Sequence, residues 1–262
     1  MTGGDLLLGI RRAFGDLGGW WPADGPFEVA VGALLVQAVA WRNAGLAIAA
    51  LKGRGLLHPQ VLAHASPEAV SDAIRPALFH LQKTRYLQAF ARFVQDRLQG
   101  DIAALRALPA AEQEGLLLAL PGVGRETAAA IMVYALGEAV PVVDAYALRV
   151  LRRTGLVGGE GAMGAARAVM AGLIAGDAAA ARLLHAGIVE LGRNYCRPKP
   201  LCPSCPFGGL CPKILGHPAQ GRGDRPARNA GTKPARREAG DRGRGRTATT
   251  QGSGGAGAGS LG

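Results

Sequence analysis

Residues 116–156 read LLLALPGVGRETAAAIMVYALGEAVPVVDAYALRVLRRTGL, and this stretch decides the fold. Good helix formers run from Glu112 to Leu120, Gly115 excepted, and stop at Pro121, whose ring cannot continue a helix. Gly122 and Gly124 flank Val123, the composition of a turn that needs positive φ or close backbone approach. From Arg125 to Leu136 the helical pattern resumes, with Ala128, Ile131, Met132 and Ala135 on one face. An extended link through Val140, Val142 and Val143 leads to Asp144, which heads a further helix, AYALRVLRR. A glycine turn feeding a helix leaves backbone N–H groups free at the positive end of the helix dipole. That is a ready seat for a phosphate.

Downstream, Cys196, Cys202, Cys205 and Cys211 form C-x5-C-x2-C-x5-C. Four thiolates in sixteen residues suit a tetrahedral sulfur set, met equally by a four-iron cluster or an all-cysteine zinc site. No signal peptide is evident, and the longest apolar region, Val29 to Trp41, is interrupted by Gly32 and Gln37 and too short to span a bilayer. The expectation is a cytoplasmic, nucleoid-associated protein without a membrane partner, in which clustered cysteines hold metal rather than form disulfides.

LPGVGRETA followed by PVVDAYALRVLRRTGL, with Asp144 eighteen residues after position 126 and four cysteines beyond, resembles the endonuclease III superfamily of helix–hairpin–helix DNA glycosylases. The resemblance covers residues 18–212. It implies an all-α, two-lobed fold: a helical barrel lobe of residues 22–137 including the hairpin, and a cluster lobe of residues 1–21 plus 138–212. It favours a [4Fe–4S] cluster on Cys196, Cys202, Cys205 and Cys211, since relatives carry C-x6-C-x2-C-x5-C at the same place; zinc stays the alternative from spacing. The implied partner is damaged double-stranded DNA, bound by a monomer, with the target base flipped out of the stack.

Asp144 has two compatible readings. Asp is a common N-cap, and the family's aspartate at this helix start is also catalytic. A fixed carboxylate there stabilises the positive charge that develops on a sugar as its N-glycosidic bond breaks. The departure from the pattern is at position 126. Bifunctional relatives carry a lysine directly before the Thr-Ala of the hairpin, and its amine forms a Schiff base with the sugar. Here Glu126 stands there, and a carboxylate cannot form an imine. The sequence thus predicts a monofunctional glycosylase, close to the subgroup that includes 3-methyladenine glycosylases. Glu126 is either a second acid beside Asp144 or an ordinary first-turn glutamate favoured by the dipole. The alternatives are a bifunctional endonuclease III acting on oxidised pyrimidines, or a non-catalytic module that binds lesions or junctions.

Other candidates follow from the same resemblance. Gln37, near the end of a buried helix read as Phe27 to Val39, either fills the space left by a flipped nucleotide or hydrogen-bonds the following loop. Phe79 and Leu81 are candidate wedges, in a turn before the helix containing Lys83 and Arg85, whose charges either reach phosphates or are merely solvated. Gly122, Val123, Gly124, Arg125 and Thr127 form the phosphate-binding hairpin. Trp20, Trp21, Trp41 and Tyr146 are candidates for the base pocket, where aromatic rings stack on a flipped base and a cationic alkylated base gains a cation–π contribution. His185 either faces the cleft between the lobes or, the favoured reading, is a packing histidine.

The formal charge is +11, but residues 213–262 hold ten Lys/Arg against three Asp/Glu, so most of it sits in that segment. With thirteen glycines and no aromatic residue, residues 213–262 are expected to be a disordered basic tail, adding salt-sensitive DNA affinity.

Overall fold

The computed structural model describes residues 1–214, and among them the regular elements are helical. Eleven α-helices follow in order: α1 (Gly3–Phe14), α2 (Pro26–Leu35), α3 (Trp41–Gly53), α4 (Pro59–His64), α5 (Pro67–Ala73), α6 (His80–Leu98), α7 (Ala110–Leu118), α8 (Arg125–Ile131), α9 (Ala145–Arg153), α10 (Ala162–Ile174) and α11 (Ala178–Asn194). The starts are set by local chemistry. Thr2 and Asp5 exchange hydrogen bonds at the head of α1, and Ser66, Asp144 and Asp177 each accept a first-turn amide, caps worth about 1 kcal/mol apiece.

Helix α2 is buried from Glu28 to Leu35, and its sequence is apolar on all sides because α3, α6 and α8 surround it. Phe27, in its first turn, stacks on Phe90 of α6 at 5.9 Å. This helix ends at Leu35, four residues before the expected Val39, so Gln37 sits in a turn, next to Ala38 at φ 58°. The ammonium of Lys83 explains the early stop. It donates to the carbonyls of Leu35 and Gln37, which takes up acceptors a longer helix would use internally.

Helix α8 also differs from expectation. After Ile131 the chain widens into a π-type turn, Met132–Leu136, closed by Gly137 at φ 79°. Such a turn rotates the residues it carries relative to a continuous helix, and Tyr134 is one of them. Elsewhere, α1 packs on α10 and α11, and α9 packs on the same two helices. The valines before Asp144 are extended but pair with no strand.

Among the described residues no helix is long and apolar enough to cross a membrane. The expected tail lies outside the described residues except for Lys213 and Ile214. The Ile214 N–H donates to the Arg153 carbonyl at 3.1 Å, so the chain is still docked on the end of α9 there.

Candidate active site

Asp144 caps α9: one carboxylate oxygen accepts the Ala147 N–H at 2.6 Å. The other lies 3.9 Å from Nε2 of His185 on α11. Nδ1 of that imidazole is 2.7 Å from the Tyr134 hydroxyl. Burial first, then the charge of Asp144, pushes the Tyr134 hydroxyl well above its ordinary pKa, so it keeps its proton. That hydroxyl also lies 3.5 Å from the Arg182 carbonyl; in the tautomer where it donates to Nδ1, the ring's own N–H is on Nε2, facing Asp144. Burial pushes the His185 pKa down against the opposing pull of Asp144, so the ring is neutral at neutral pH. His185 is therefore more than the packing residue that the sequence suggested. It shares one polar chain with Tyr134 and Asp144.

Glu126 is the second residue of α8. The residue is exposed, yet the protein around its carboxyl displaces enough water to push the pKa up to about 7, with the nearby charge of Asp144 as a smaller cause. Two carboxylates that repel each other's charge have their protonation states driven apart.

The three tryptophans come together. Trp21 meets Trp41 edge-on at 5.0 Å, and Trp20 lies 6.4 Å from Trp41 with the rings near parallel. Tyr134 joins them, 4.9 Å from Trp21 and 5.9 Å from Trp20, and His185 presents its edge to Trp20 at 5.7 Å. The Trp20 indole N–H donates to Glu190 at 2.8 Å, which fixes that ring. Tyr146 stands apart from this group. It packs against Gly192, where a Cβ would collide with its ring, and carries the Arg149 guanidinium 5.0 Å from its centroid. Sequence reasoning missed Tyr134, because only the π turn brings it to the tryptophans and no residue pattern announces that turn.

At the hairpin, Gln37 donates to the Gly122 carbonyl and to the Thr127 hydroxyl, both at 2.9 Å. Gln37 thus neither bonds the loop that follows its helix nor faces an open space: its side chain is tied to the hairpin. Gly122 has φ 79°, and a Cβ there would overlap the Tyr86 ring, whereas nothing lies within 4 Å of a Cβ at Gly124. Val123 and Thr127 have buried side chains, and the Val123 N–H donates to Leu120. Their side chains are not available to DNA. What remains for a phosphate is the exposed Arg125 and the first-turn amides of α8, which have no intrahelical acceptor.

The turn before α6 is exposed and apolar: Leu78, Phe79 and Leu81 are 52, 63 and 68 % accessible. Leu78 and Phe79 both have positive φ, 52° and 47°. Lys83 is not a phosphate ligand. It is buried, and its ammonium donates to Leu35, Gln37 and Ala77 at 2.7, 2.8 and 2.7 Å. Burial lowers its pKa to about 8, which leaves it charged at neutral pH.

Cys196, Cys202, Cys205 and Cys211 line one cavity of about 30 Å³ together with Arg153 and Tyr195. Burial pushes the Cys205 thiol up, and the three other cysteines add to that, as thiols gathered round one space should. Arg153 of α9 donates to Cys196 Sγ at 3.5 Å and to the Arg197 and Pro198 carbonyls, and Arg149 donates to the Cys196 carbonyl at 2.7 Å.

Comparison with known proteins fits this geometry. Residues 31–173 match the model of the HhH-GPD superfamily base excision DNA repair proteins. A protein of Methanocaldococcus jannaschii named as a DNA repair glycosylase is 32 % identical over 201 residues, 73 % of this chain and 88 % of that one. A thymine-DNA glycosylase of Aeropyrum pernix is 26 % identical over 213 residues, 78 % of this chain and 91 % of its own. In fold, a trapped endonuclease III–DNA covalent intermediate superposes with a TM-score of 0.69 at 22 % identity, covering 81 % of this chain and 97 % of that one. The hairpin, the capped Asp144 and the match over residues 31–173 together place the chain: it belongs to the HhH-GPD superfamily of base excision DNA repair proteins, with an endonuclease III-like fold.

Proposed function

We propose that this protein is a monofunctional DNA glycosylase of base excision repair, which flips a damaged base from double-stranded DNA and removes it by water attack assisted by Asp144. The observation that carries the monofunctional reading is Glu126 on the second residue of α8, coupled in charge to Asp144, at the position where an imine-forming enzyme needs an amine. The other lysines support it. Of the four among the described residues, Lys52 is paired with Asp24 and Glu28 and Lys83 is held by three carbonyls. Lys199 and Lys213 belong to the cysteine loop and its flank.

In this reading the C1′–N bond breaks with its electron pair leaving on the base. Asp144 stabilises the cationic sugar through its uncapped oxygen. A water oxygen then bonds to C1′ and passes its proton to a carboxylate, for which Glu126, with a pKa near 7, is matched to neutral pH. The rings of Trp20, Trp21, Trp41 and Tyr134 offer faces on which a flipped base can stack. Gln37, Phe79 and the α8 amides would meet the duplex, positioning it without reading sequence. The packing of α1 on α10 and α11 supports grouping residues 1–21 with 138–212 as one lobe against 22–137.

The four thiols also fit a [4Fe–4S] cluster. They line one cavity, four soft sulfur donors of the kind such a cluster takes, and the family resemblance is what favours it over zinc. When bound, such a cluster is a structural anchor for the loop that Arg149 and Arg153 tie to the Asp144 helix. The deciding experiment is base release from a panel of duplexes carrying alkylated purines, oxidised pyrimidines or mispairs, with and without hot alkali. Strand scission only after alkali, lost in Asp144→Asn, supports the reading. Scission without alkali would overturn the monofunctional mechanism, and tight binding without release from any lesion would overturn the enzymatic one.

A further inference from the structure

The buried ammonium of Lys83 reaches two loops that lie far apart in sequence. It accepts no hydrogen bond and donates three, to Leu35, Gln37 and Ala77. Two of those carbonyls have the same local setting. The Gln37 carbonyl immediately precedes Ala38 at φ 58°, and the Ala77 carbonyl immediately precedes Leu78 at φ 52° and Phe79 at φ 47°. None of these three is glycine, and positive φ at such residues is sterically costly, so something must hold both turns. The third carbonyl, Leu35, is at the end of α2, where unsatisfied acceptors carry the negative end of the helix dipole and favour a cation.

We propose that Lys83 is a positioning residue that locks the Gln37 turn and the Phe79 turn into one rigid unit, so that the glutamine and the exposed apolar wedge are presented to DNA together. The inference rests on the reading that both turns engage the duplex. One cation bonded to three carbonyls fixes their relative positions more tightly than three separate contacts, because the acceptors must converge on a single atom. Phe79 is the residue just before α6 and Lys83 lies on that helix's first turn, so the anchor and the wedge share one short segment. The Leu78 N–H also donates to the Arg75 carbonyl and His80 shares a hydrogen bond with Ser71, but these ties are local, and of the bonds to this turn the Lys83 ammonium is the one that joins it to the Gln37 turn.

The test uses the full chain and a duplex carrying a tetrahydrofuran abasic analogue opposite 2-aminopurine, whose fluorescence rises when it is unstacked by an inserting side chain. The same tetrahydrofuran strand, unpaired, is the control. Wild type should raise the fluorescence and Phe79→Ala should abolish the rise. Lys83→Met should abolish it too and weaken duplex binding about tenfold, with affinity for the single strand unchanged within about twofold, a split that general destabilisation would not produce. The double variant should be no worse than Lys83→Met. Adding Leu78→Gly, which removes the steric cost of the left-handed turn, should restore the rise in the Lys83→Met background. If Lys83→Met melts below the assay temperature, that second change decides: recovered fold and fluorescence support the proposal, and continued failure overturns it. A full fluorescence rise in Lys83→Met, with Phe79→Ala inactive, overturns the role of Lys83 alone. An unaffected Phe79→Ala overturns the underlying reading of the wedge.

Discussion

Asp144 and His185 face each other across 3.9 Å, carboxylate oxygen to Nε2, while the other Asp144 oxygen is held by the Ala147 amide at 2.6 Å. The two oxygens are placed differently: one caps a helix, and the other, beside His185, is the one the proposed mechanism assigns to the substrate. Asp144→Asn keeps the capping acceptor, since Asn caps as well as Asp, and removes the charge. Base release in single turnover should fall by about 10²- to 10³-fold with the melting temperature nearly unchanged. Asp144→Ala should show the same kinetic loss and, in addition, lose about 1 kcal/mol of stability. Thermal melts beside the kinetics separate the two.

Glu126 predicts a pH signature of both activity and stability. Its native pKa is about 7, raised from the ordinary 4.5, so between those values the native state holds a proton that the unfolded chain has released. Stability contributed by this group therefore falls as pH rises from about 4.5 to 7, and the deficit persists above 7. Glu126→Gln has no such deficit. It should melt higher than wild type at pH 8 and level with it at pH 4. The rising limb of the rate profile near pH 7 should flatten in the same variant, with a lower plateau. An unchanged profile would return Glu126 to the role of a first-turn glutamate.

How much of this was legible in the residues depends on whether the cause was local. The hairpin, the Asp144 cap and the cysteine spacing are short-range patterns, and each names its own chemistry. The cluster of Trp20, Trp21 and Trp41 was legible as a set but not as a contact. Sequence groups Tyr146 with the tryptophans, and its helix start alone does not reveal that its ring packs on Gly192 and under Arg149 instead of against them. Tyr134 was missed, and His185 was legible only without its partner: they lie some fifty residues apart and meet only in the fold, which leaves no mark on local sequence. Lys83 reads as a surface cation on a helix, and only the tertiary convergence of three carbonyls makes it an internal one.

The two hairpin glycines should fail in different ways. Gly122→Ala puts a Cβ into the Tyr86 ring at a residue with φ 79°, so it should cost about 2 kcal/mol or more in stability, read by denaturant melts. Gly124 has an ordinary φ of −91° and open space round its Cβ. Gly124→Ala should leave the melt unchanged and weaken DNA binding by up to about tenfold, because the added methyl projects into the open space before the α8 amides and lengthens one amide–phosphate contact. Equal stability losses at both positions would mean that the hairpin is shaped for packing alone.

The missing amine gives a covalent test. A Schiff base needs an unprotonated lysine at the sugar C1′, and the described lysines are paired, held by carbonyls or set in the cysteine loop. Borohydride added to wild-type protein on duplex with an aldehydic abasic site should trap no adduct above background. Glu126→Lys places an amine on the second residue of α8, next to the charge of Asp144 and in the surroundings that already strip water from a carboxyl. The same desolvation lowers a lysine pKa, which raises the fraction able to attack. Glu126→Lys should therefore form a trappable adduct and nick abasic DNA without alkali. A wild-type adduct that persists in Glu126→Gln would instead identify another nucleophile, and would mean that position 126 does not decide between the two reaction courses.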